Sequence, residues 1–210
     1  MKKIGVLVSG GGTNLQAILD AQQSGLLHSG KVSCVISSSP TAYALRRAEN
    51  ANIPAVTLRR KDYENAKAYD AALLSVLEEY EIDIIILAGF LCILGESVIR
   101  SYPNRIINVH PSLIPAFCGD GFYGLKVHEA ALEYGVKVTG ATVHFVNEVT
   151  DGGAIILQKA VDILPDDTPE ILQKRVMREA EHVILPQAAE LLCAGKIQIC
   201  GRKVTIDKDE

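Results

Sequence analysis

The sequence has little of what extracellular, membrane-spanning or disulfide-rich proteins carry. It contains no tryptophan, 5% aromatic residues, and five cysteines with no CxxC pair among them. An odd cysteine count in a chain of 210 residues argues against a disulfide framework, so we predict mostly buried thiols in a reducing cytoplasm. The apolar run 4–8 is too short for a signal peptide. The longest apolar run, 84–94, is well short of the ~18 residues that span a bilayer.

A surplus of positive charge is also missing. Lys and Arg number 21 against 25 Asp and Glu, which gives a net charge of −4. Without basic surplus, little is gained from counterion release on a polyanion, so nucleic acid is disfavoured as the main partner. Hydrophobic residues make up 48% and charged residues 22%, which is the usage of a folded globular chain. We find no repeat, low-complexity block or linker, and one domain over residues 1–210 is the simplest organisation.

Apolar runs alternate with helical patterns through the first half of the chain. Continuous apolar runs predict buried strands, and apolar residues at helical spacing predict helices. The predicted strands cover residues 3–8, 32–37, 55–58, 82–88 and 105–109, with helices beginning near residues 13, 41 and 64. This alternation is typical of βαβ units and predicts a parallel, doubly wound sheet.

The pattern changes in the second half. Two long strand-like runs, 137–147 and 153–161, flank a turn and predict a hairpin added to the sheet. Thr168 and Pro169 then open a helix, as N-cap and first helical residue. We expect that helix to run to Glu179 or on to Cys193, with an interruption near Pro186.

A glycine-rich loop, residues 9–14, follows the first strand and precedes the first helix. Glycine lets the backbone approach a ligand closely, and a helix N-terminus offers free N–H groups, so this position favours a phosphate over a plain βα turn. Either Thr13 or Asn14 can cap the helix. The second strand ends without an acid before Glu49, which disfavours NAD, and the Lys-Ser/Thr pair of a P-loop is absent. A phosphorylated small metabolite remains.

Asn108 and His110 lie two residues apart near the end of a predicted strand, so their side chains leave the same face of the sheet. An amide donor beside an imidazole suits stabilisation of an oxyanion together with proton transfer. Asp151, in a turn before two glycines, could orient that imidazole or raise its pKa. The alternative is a capping Asn, a buried structural His and an ordinary turn Asp, and spacing alone does not decide.

No conventional nucleophile or metal motif is present. The sequence has no GxSxG and no HExxH, and its histidines (28, 110, 128, 144 and 182) lack ligand spacing. With no evident base beside it, Cys118 is a weak candidate nucleophile, and His144 alternates along a strand as structural histidines do. These absences favour direct transfer between two bound substrates, with the protein positioning them and stabilising a tetrahedral intermediate.

Several motifs together resemble the glycinamide ribonucleotide formyltransferases. They are the loop 9–14, Ala88-Gly89-Phe90, the run from Asn108 to Pro115 (NVHPSLIP), and Asp151-Gly152-Gly153. The resemblance extends to about Pro186. It implies a Rossmann-like α/β formyltransferase fold, doubly wound and mostly parallel, with a C-terminal antiparallel hairpin and helix. It also implies transfer of the formyl group of 10-formyl-tetrahydrofolate to the amine of glycinamide ribonucleotide in purine biosynthesis, without a metal, in a monomer or homodimer.

The resemblance also assigns roles to individual residues. It implies that Asn108, His110 and Asp151 are catalytic, with Asn108 donating to the oxyanion and Asp151 keeping the imidazole charged. The ribonucleotide phosphate and ribose are assigned to four residues: Gly12, Thr13, Asn14 and Glu181. The folate is assigned to the main chain of two segments: Phe90, Leu91, Cys92, Ile93 and Leu94, then Asn147 to Asp151.

The chain departs from the family pattern at two places. The segment 117–124 has about five extra residues, and Cys92 stands where many members have arginine. The extra segment could be a longer lid or a surface loop that drifted. Two other functions compete: a different formyl-folate enzyme, such as a deformylase or amino-sugar formyltransferase, and a non-catalytic phosphometabolite-binding domain. By length, the chain has no room for the further domains that the resemblance implies for methionyl-tRNA formyltransferase and the deformylase.

Overall fold

The computed structural model describes residues 1–207 and has a seven-stranded sheet with helices on both faces. The strands follow the order β3-β2-β1-β4-β5-β6-β7. The first five strands pair in parallel, whereas β6 and β7 are antiparallel to their neighbours. The predicted doubly wound, mostly parallel sheet with an added hairpin is confirmed.

The strands are short and mostly apolar. They are β1 (Lys2–Val8), β2 (Gly30–Ser37), β3 (Ala55–Thr57), β4 (Ile84–Leu87), β5 (Ile106–His110), β6 (Val138–Phe145), β7 (Ile155–Asp162), β8 (Ile197–Cys200) and β9 (Lys203–Ile206). Strand β4 and most of β1 are buried because helices cover both faces, which is why they read as continuous apolar runs. Strands β8 and β9 form a separate antiparallel pair that the sequence pattern does not predict.

Seven α-helices connect the strands. They are α1 (Thr13–Ser24), α2 (Ala44–Asn50), α3 (Ala66–Glu79), α4 (Glu96–Ser101), α5 (Leu125–Tyr134), α6 (Pro169–Val176) and α7 (His182–Cys193). Helices α4 and α5 are additional to those the sequence predicts. Each is short and has a glycine N-cap with no side-chain cap, so the usual start signal is missing. Within residues 1–207, no helix combines the length and apolar character needed to cross a membrane.

Helix α6 starts as predicted, but its interruption lies elsewhere. The side chain of Thr168 accepts a hydrogen bond from the Ile171 amide, and Pro169 is the first helical residue. A π-helical turn, Met177–Glu181, then links α6 to α7. Pro186 lies inside α7, in its first turn and a half, so the expected break at that residue is wrong. A π turn re-aims side chains within a helix, and this one carries Glu181.

Two apolar clusters hold the layers together, one on each side of the sheet. One combines buried residues of α1, α2, α6 and α7 with strand residues such as Ile4 and Ile86. The other combines α3 and α4 with strand residues such as Leu7 and Ile85. Alternate residues of each central strand therefore enter opposite clusters, as the pleat requires. The carboxyl ends of β1, β4 and β5 meet at one edge of the sheet, since Leu7 pairs with Leu87 and Leu87 with Asn108.

Candidate active site

Four polar side chains meet at the carboxyl end of β5. Asn108 and His110 leave one face of β5, and His144 lies opposite Asn108 on the antiparallel strand β6. Asp151 comes from the turn between β6 and β7. Nδ1 of His110 lies 3.4 Å from Oδ2 of Asp151, and Nε2 of His144 lies 3.5 Å from Oδ1 of the same carboxylate. We call Asn108, His110, His144 and Asp151 the polar cluster.

His144 is the member of the polar cluster that the sequence analysis leaves outside the site. Its Nδ1 donates to the carbonyl of Phe145 at 2.8 Å, so in the neutral ring Nε2 is an acceptor. Nδ2 of Asn108 donates to that nitrogen at 3.2 Å. This bond fixes which end of the Asn108 side chain is the NH₂ group and leaves its second N–H for a ligand. Strand alternation placed His144 on a face of β6, but only the β5–β6 register brings it opposite Asn108.

The ring of His110 is held at both nitrogens. Its Nε2 donates to the carbonyl of Phe117 at 2.8 Å, which leaves Nδ1 as the nitrogen that faces Asp151. Burial is the largest influence on the ring and lowers the pKa of His110, while the Asp151 carboxylate and the Phe117 carbonyl raise it. The net direction is down, so the expectation that Asp151 keeps this imidazole charged is wrong for the free protein. The opposing charge is present, but burial outweighs it.

The Asp151 carboxylate stays ionised despite being largely buried. Burial pushes the pKa of Asp151 up, but the neighbouring rings of His144 and His110, together with a hydrogen bond from the Gly119 amide, outweigh it and bring the pKa below its usual value. The Gly119 N–H donates to Oδ2 at 2.9 Å. A proton shared by Asp151 and His110 therefore belongs on the imidazole.

The glycines after Asp151 are needed for close packing. A Cβ on Gly153 would lie 1.7 Å from the carbonyl oxygen of Phe145, the oxygen that accepts from His144. Asp151 itself adopts a φ of 53°, and the Gly152 amide closes the turn onto Val149. The two glycines thus let the turn pack closely against β6, which positions the Asp151 carboxylate.

The glycine loop, residues 9–14, ends in an uncapped helix. Gly12 is the N-cap of α1, with a φ of 70°, and neither Thr13 nor Asn14 caps the helix with its side chain, contrary to our expectation. The first turn of α1 contains no acidic residue. Its amides and its positive dipole end are therefore open to an anion.

Asn14 and Thr13 instead point toward the π turn. Nδ2 of Asn14 donates to Oε2 of Glu181 at 2.7 Å, and the Thr13 hydroxyl lies 3.0 Å from Sδ of Met177. Burial raises the pKa of Glu181, opposed by the Asn14 bond. Oδ1 of Asn14 is buried without a partner in the described chain. A buried carboxylate and a buried amide acceptor together suit the hydroxyl groups of a sugar.

The first segment assigned to folate adjoins the glycine loop, since the Leu91 amide donates to Oγ of Ser9 at 2.8 Å, and the second ends at Asp151 of the polar cluster. Phe90, Cys92 and Leu94 are at least partly buried between β4 and α4, whereas Leu91 and Ile93 are 66% and 81% exposed. Asn147 is exposed, and its side chain accepts from the Val149 amide. The second segment is tied to α4, since Glu148 lies 3.7 Å from Arg100.

Comparison with known proteins identifies relatives along almost the whole chain. The family model described as formyl transferase matches residues 2–189. The chain is 42% identical to phosphoribosylglycinamide formyltransferase of Haemophilus influenzae, over 99% of this chain and 94% of that protein. It is 43% identical to the trifunctional purine biosynthetic protein adenosine-3 of Bos taurus, of whose length it spans 19%.

A solved structure agrees with these sequence matches. The crystal structure of glycinamide ribonucleotide transformylase 1 from Symbiobacterium toebii superimposes with a TM-score of 0.92 at 46% identity, covering 98% of this chain and 94% of that one. Fold, motif positions and relatives agree, and the chain belongs to the formyl transferase family.

Proposed function

We propose that the chain transfers the formyl group of 10-formyl-tetrahydrofolate to the amine of glycinamide ribonucleotide, a step of purine biosynthesis. The 42% identity with a full-length protein of that name supports this reaction. The single observation that carries it is the polar cluster at the carboxyl edge, in which the Asn108 amide lies 3.2 Å from His144, and the Asp151 carboxylate lies 3.4 Å from His110 and 3.5 Å from His144. A phosphometabolite-binding domain without catalysis has no need of that arrangement.

The ribonucleotide fits the glycine loop and the π turn. The uncapped start of α1, at Gly12 and Thr13, suits the phosphate, because free amides and the helix dipole favour an anion. Glu181 and Asn14 suit the ribose hydroxyls, since the carboxylate accepts and the Asn14 carbonyl oxygen still lacks a donor. With these contacts, the amine end of the substrate reaches toward β5.

The folate fits the segments 90–94 and 147–151, which carry exposed apolar side chains. Leu91, Ile93 and Val149 are large apolar side chains that are at least 65% exposed, and such a patch favours an apolar ligand surface. The main chain of the segments 90–94 and 147–151 is assigned to the folate ring by the family pattern, and a main-chain site tolerates Cys92 in place of arginine. The folate supplies the formyl group as co-substrate.

The polar cluster supplies the chemistry of direct attack. Asn108 is oriented by His144 to donate its second N–H to the negative charge that develops on the formyl oxygen. A preorganised donor of this kind costs no reorganisation at the moment of reaction.

His110 and Asp151 handle the proton that the attacking amine loses. Nδ1 of His110 is the free nitrogen of a neutral ring, and the Asp151 carboxylate stabilises the imidazolium that forms when Nδ1 is protonated. The same pair can return the proton to the folate nitrogen as the bond to the formyl carbon breaks. A new C–N bond forms, the old one breaks, and the proton count is conserved.

The remaining expectations about ligands and location belong to the same proposal. Among residues 1–207, no group of three or more His, Cys, Asp and Glu side chains is arranged to hold a metal ion, and the proposed chemistry assigns no role to one. The partners are two small molecules, and a cytoplasmic monomer or homodimer stays a prediction.

The direct test mixes the protein with 10-formyl-tetrahydrofolate and glycinamide ribonucleotide and follows deformylation of the folate spectroscopically. We expect turnover that requires the ribonucleotide. Deformylation at the same rate without the ribonucleotide would identify a hydrolase, and no deformylation in either mixture would refute a formyl-folate enzyme.

A further inference from the structure

The segment 117–124, which carries the extra residues, contacts the reacting side chains through its main chain. The carbonyl of Phe117 accepts from Nε2 of His110 at 2.8 Å, and the amide of Gly119 donates to Oδ2 of Asp151 at 2.9 Å. One short loop therefore sets both a hydrogen bond of the imidazole and one of the carboxylate. Neither contact depends on the chemistry of the side chain at 117 or 119.

The Phe117 contact needs a backbone conformation that a residue with a Cβ does not adopt without support. Phe117 has a φ of 48°, which is uncommon for a residue with a Cβ, and Gly119 has a φ of 90°. A residue with a Cβ persists in such a region only where the surroundings hold it. Something outside Phe117 and Gly119 must keep the loop in this shape.

Phe122, within the extra residues, supplies two such restraints. Its ring stands edge-on to the ring of Phe117, with 6.4 Å between centroids, and Tyr134 of α5 flanks Phe117 at 5.9 Å. Its amide donates to the carbonyl of Gly119 at 3.1 Å and closes a tight turn. Phe122 thus touches both residues whose main chain reaches the polar cluster.

We propose that Phe122 is a positioning residue for formyl transfer, holding the Phe117 carbonyl on His110 and the Gly119 amide on Asp151. With the loop closed, Nε2 of His110 keeps its proton and Nδ1 stays the nitrogen that exchanges a proton with the substrate. This inference rests on the proposed function, because it names the nitrogen which that reaction uses. The extra residues would then position the reacting side chains, a role that a surface loop without function does not have.

Loss of the Phe122 ring should change the titration of His110 in a definite direction. The groups that face this ring are Asp151 from the β6–β7 turn, His144 from β6 and His128 from α5. All three come from elements outside the loop. Opening the loop removes the Phe117 carbonyl, which raises the pKa of His110, but it also relieves burial, which is the largest influence and lowers that pKa, so the net change should be a rise toward 6.5.

The test compares wild type, Phe122→Ala and Phe122→Tyr, with Tyr123→Ala as the matched control. Tyr123 is the adjacent aromatic residue, is 51% exposed, and contacts Lys126 rather than Phe117. For Phe122→Ala we expect kcat to fall about tenfold or more, with KM changed by less than about threefold. Phe122→Tyr keeps the ring and should restore kcat, and Tyr123→Ala should match wild type.

Imidazole NMR of the free protein gives a readout that does not depend on turnover. We expect His110 to be protonated at Nε2 in wild type and Tyr123→Ala, and to show mixed tautomers with a raised pKa in Phe122→Ala. Unchanged tautomer and unchanged kcat in a folded Phe122→Ala protein would overturn the inference. If wild type shows no formyl transfer, the proposed function fails instead.

A second variant covers the case in which Phe122→Ala does not fold. Gly119→Ala has open space for its Cβ, and its φ of 90° is the only source of strain. It should shift the His110 tautomer and pKa in the same direction as Phe122→Ala. A folded Gly119→Ala protein with wild-type tautomer, pH profile and kcat would also overturn the inference.

Discussion

The glycine loop and the polar cluster both lie at the carboxyl edge of the sheet, but they differ in how many separate segments of the chain build them. The glycine loop is continuous and needs one distant acid, Glu181, which Asn14 fixes at 2.7 Å. The polar cluster takes Asn108, His110, His144 and Asp151 from three separate segments. The glycine loop is suited to hold a group that does not react, whereas the polar cluster is suited to move a proton.

This difference predicts a separation of kinetic effects. Contacts made equally in ground and transition state change KM, and contacts made only in the transition state change kcat. Changes at the glycine loop and Glu181 should therefore act on KM for the ribonucleotide. Changes in the polar cluster should act on kcat.

The largest expected effect is that of Asn108→Ala. Loss of the oxyanion donor should lower kcat by about 10²–10³-fold, as removal of a single preorganised donor commonly does. Asn108 is partly exposed and its side chain bonds only to His144 in the described residues, so circular dichroism and thermal melting should stay close to wild type. A loss of less than tenfold in kcat would remove Asn108 from the proposed role.

Glu181→Gln should change KM for the ribonucleotide rather than kcat. Glutamine can still accept from Asn14, but it loses the charge that strengthens hydrogen bonds to ribose hydroxyls, so KM for the ribonucleotide should rise about tenfold. Because burial raises the pKa of Glu181, its charge is costly at neutral pH, and the variant should be no less stable than wild type. Steady-state kinetics with each substrate varied in turn checks this. A lower kcat with unchanged KM would contradict the separation.

The glycine loop and the polar cluster also differ in how far the sequence predicts them. The loop is local, so the order strand, glycines, helix is enough to place its amides. Asn108 and His110 share a strand face and could be paired by alternation. His144 could not be joined to them from spacing, because its contact depends on the register between β5 and β6. The sequence also does not predict whether the pKa of His110 is raised or lowered, because the shift depends mainly on how deeply the ring is buried.

The difference between local signals and contacts between distant segments also explains which parts of the fold were predicted. A long apolar run such as 82–88 predicts a strand by itself, without knowledge of its neighbours in the sheet. Helices α4 and α5 lack a capping side chain, and β8 and β9 have four residues each, so their stability comes from tertiary contacts. The helix break after Val176 is a π turn, for which the sequence offers no signal comparable to Pro186.

His128 should make the region beneath the polar cluster sensitive to acid. It is 1% exposed on α5, neither ring nitrogen has a partner in the described chain, and burial lowers the pKa of His128 to about 4. The unfolded chain takes up this proton near pH 6.5, while the folded chain does so only near pH 4. This contribution to stability is therefore full above pH 6.5 and is lost as the pH falls toward 4.

The expected size of this effect is about 2 kcal/mol in the free energy of unfolding between pH 7 and pH 5. Urea unfolding at both pH values measures it. His128→Leu cannot take up the proton, so its stability should fall less over the same interval. An equal fall in wild type and His128→Leu would assign the acid sensitivity to other groups.

The smallest expected effect is that of Cys118→Ser, and it tests whether the polar cluster works without a covalent step. Cys118 lies beside Asp151, and burial, with the Asp151 charge, raises the pKa of its thiol. A thiol of this kind is mostly protonated at neutral pH and is a poor nucleophile, so kcat should stay within about threefold of wild type. Serine keeps a donor for the Pro115 carbonyl, which the thiol contacts at 3.4 Å. A loss of kcat as large as that of Asn108→Ala, with the His110 tautomer unchanged, would contradict a transfer without a covalent step, and a polar cluster that only moves a proton would no longer describe the site.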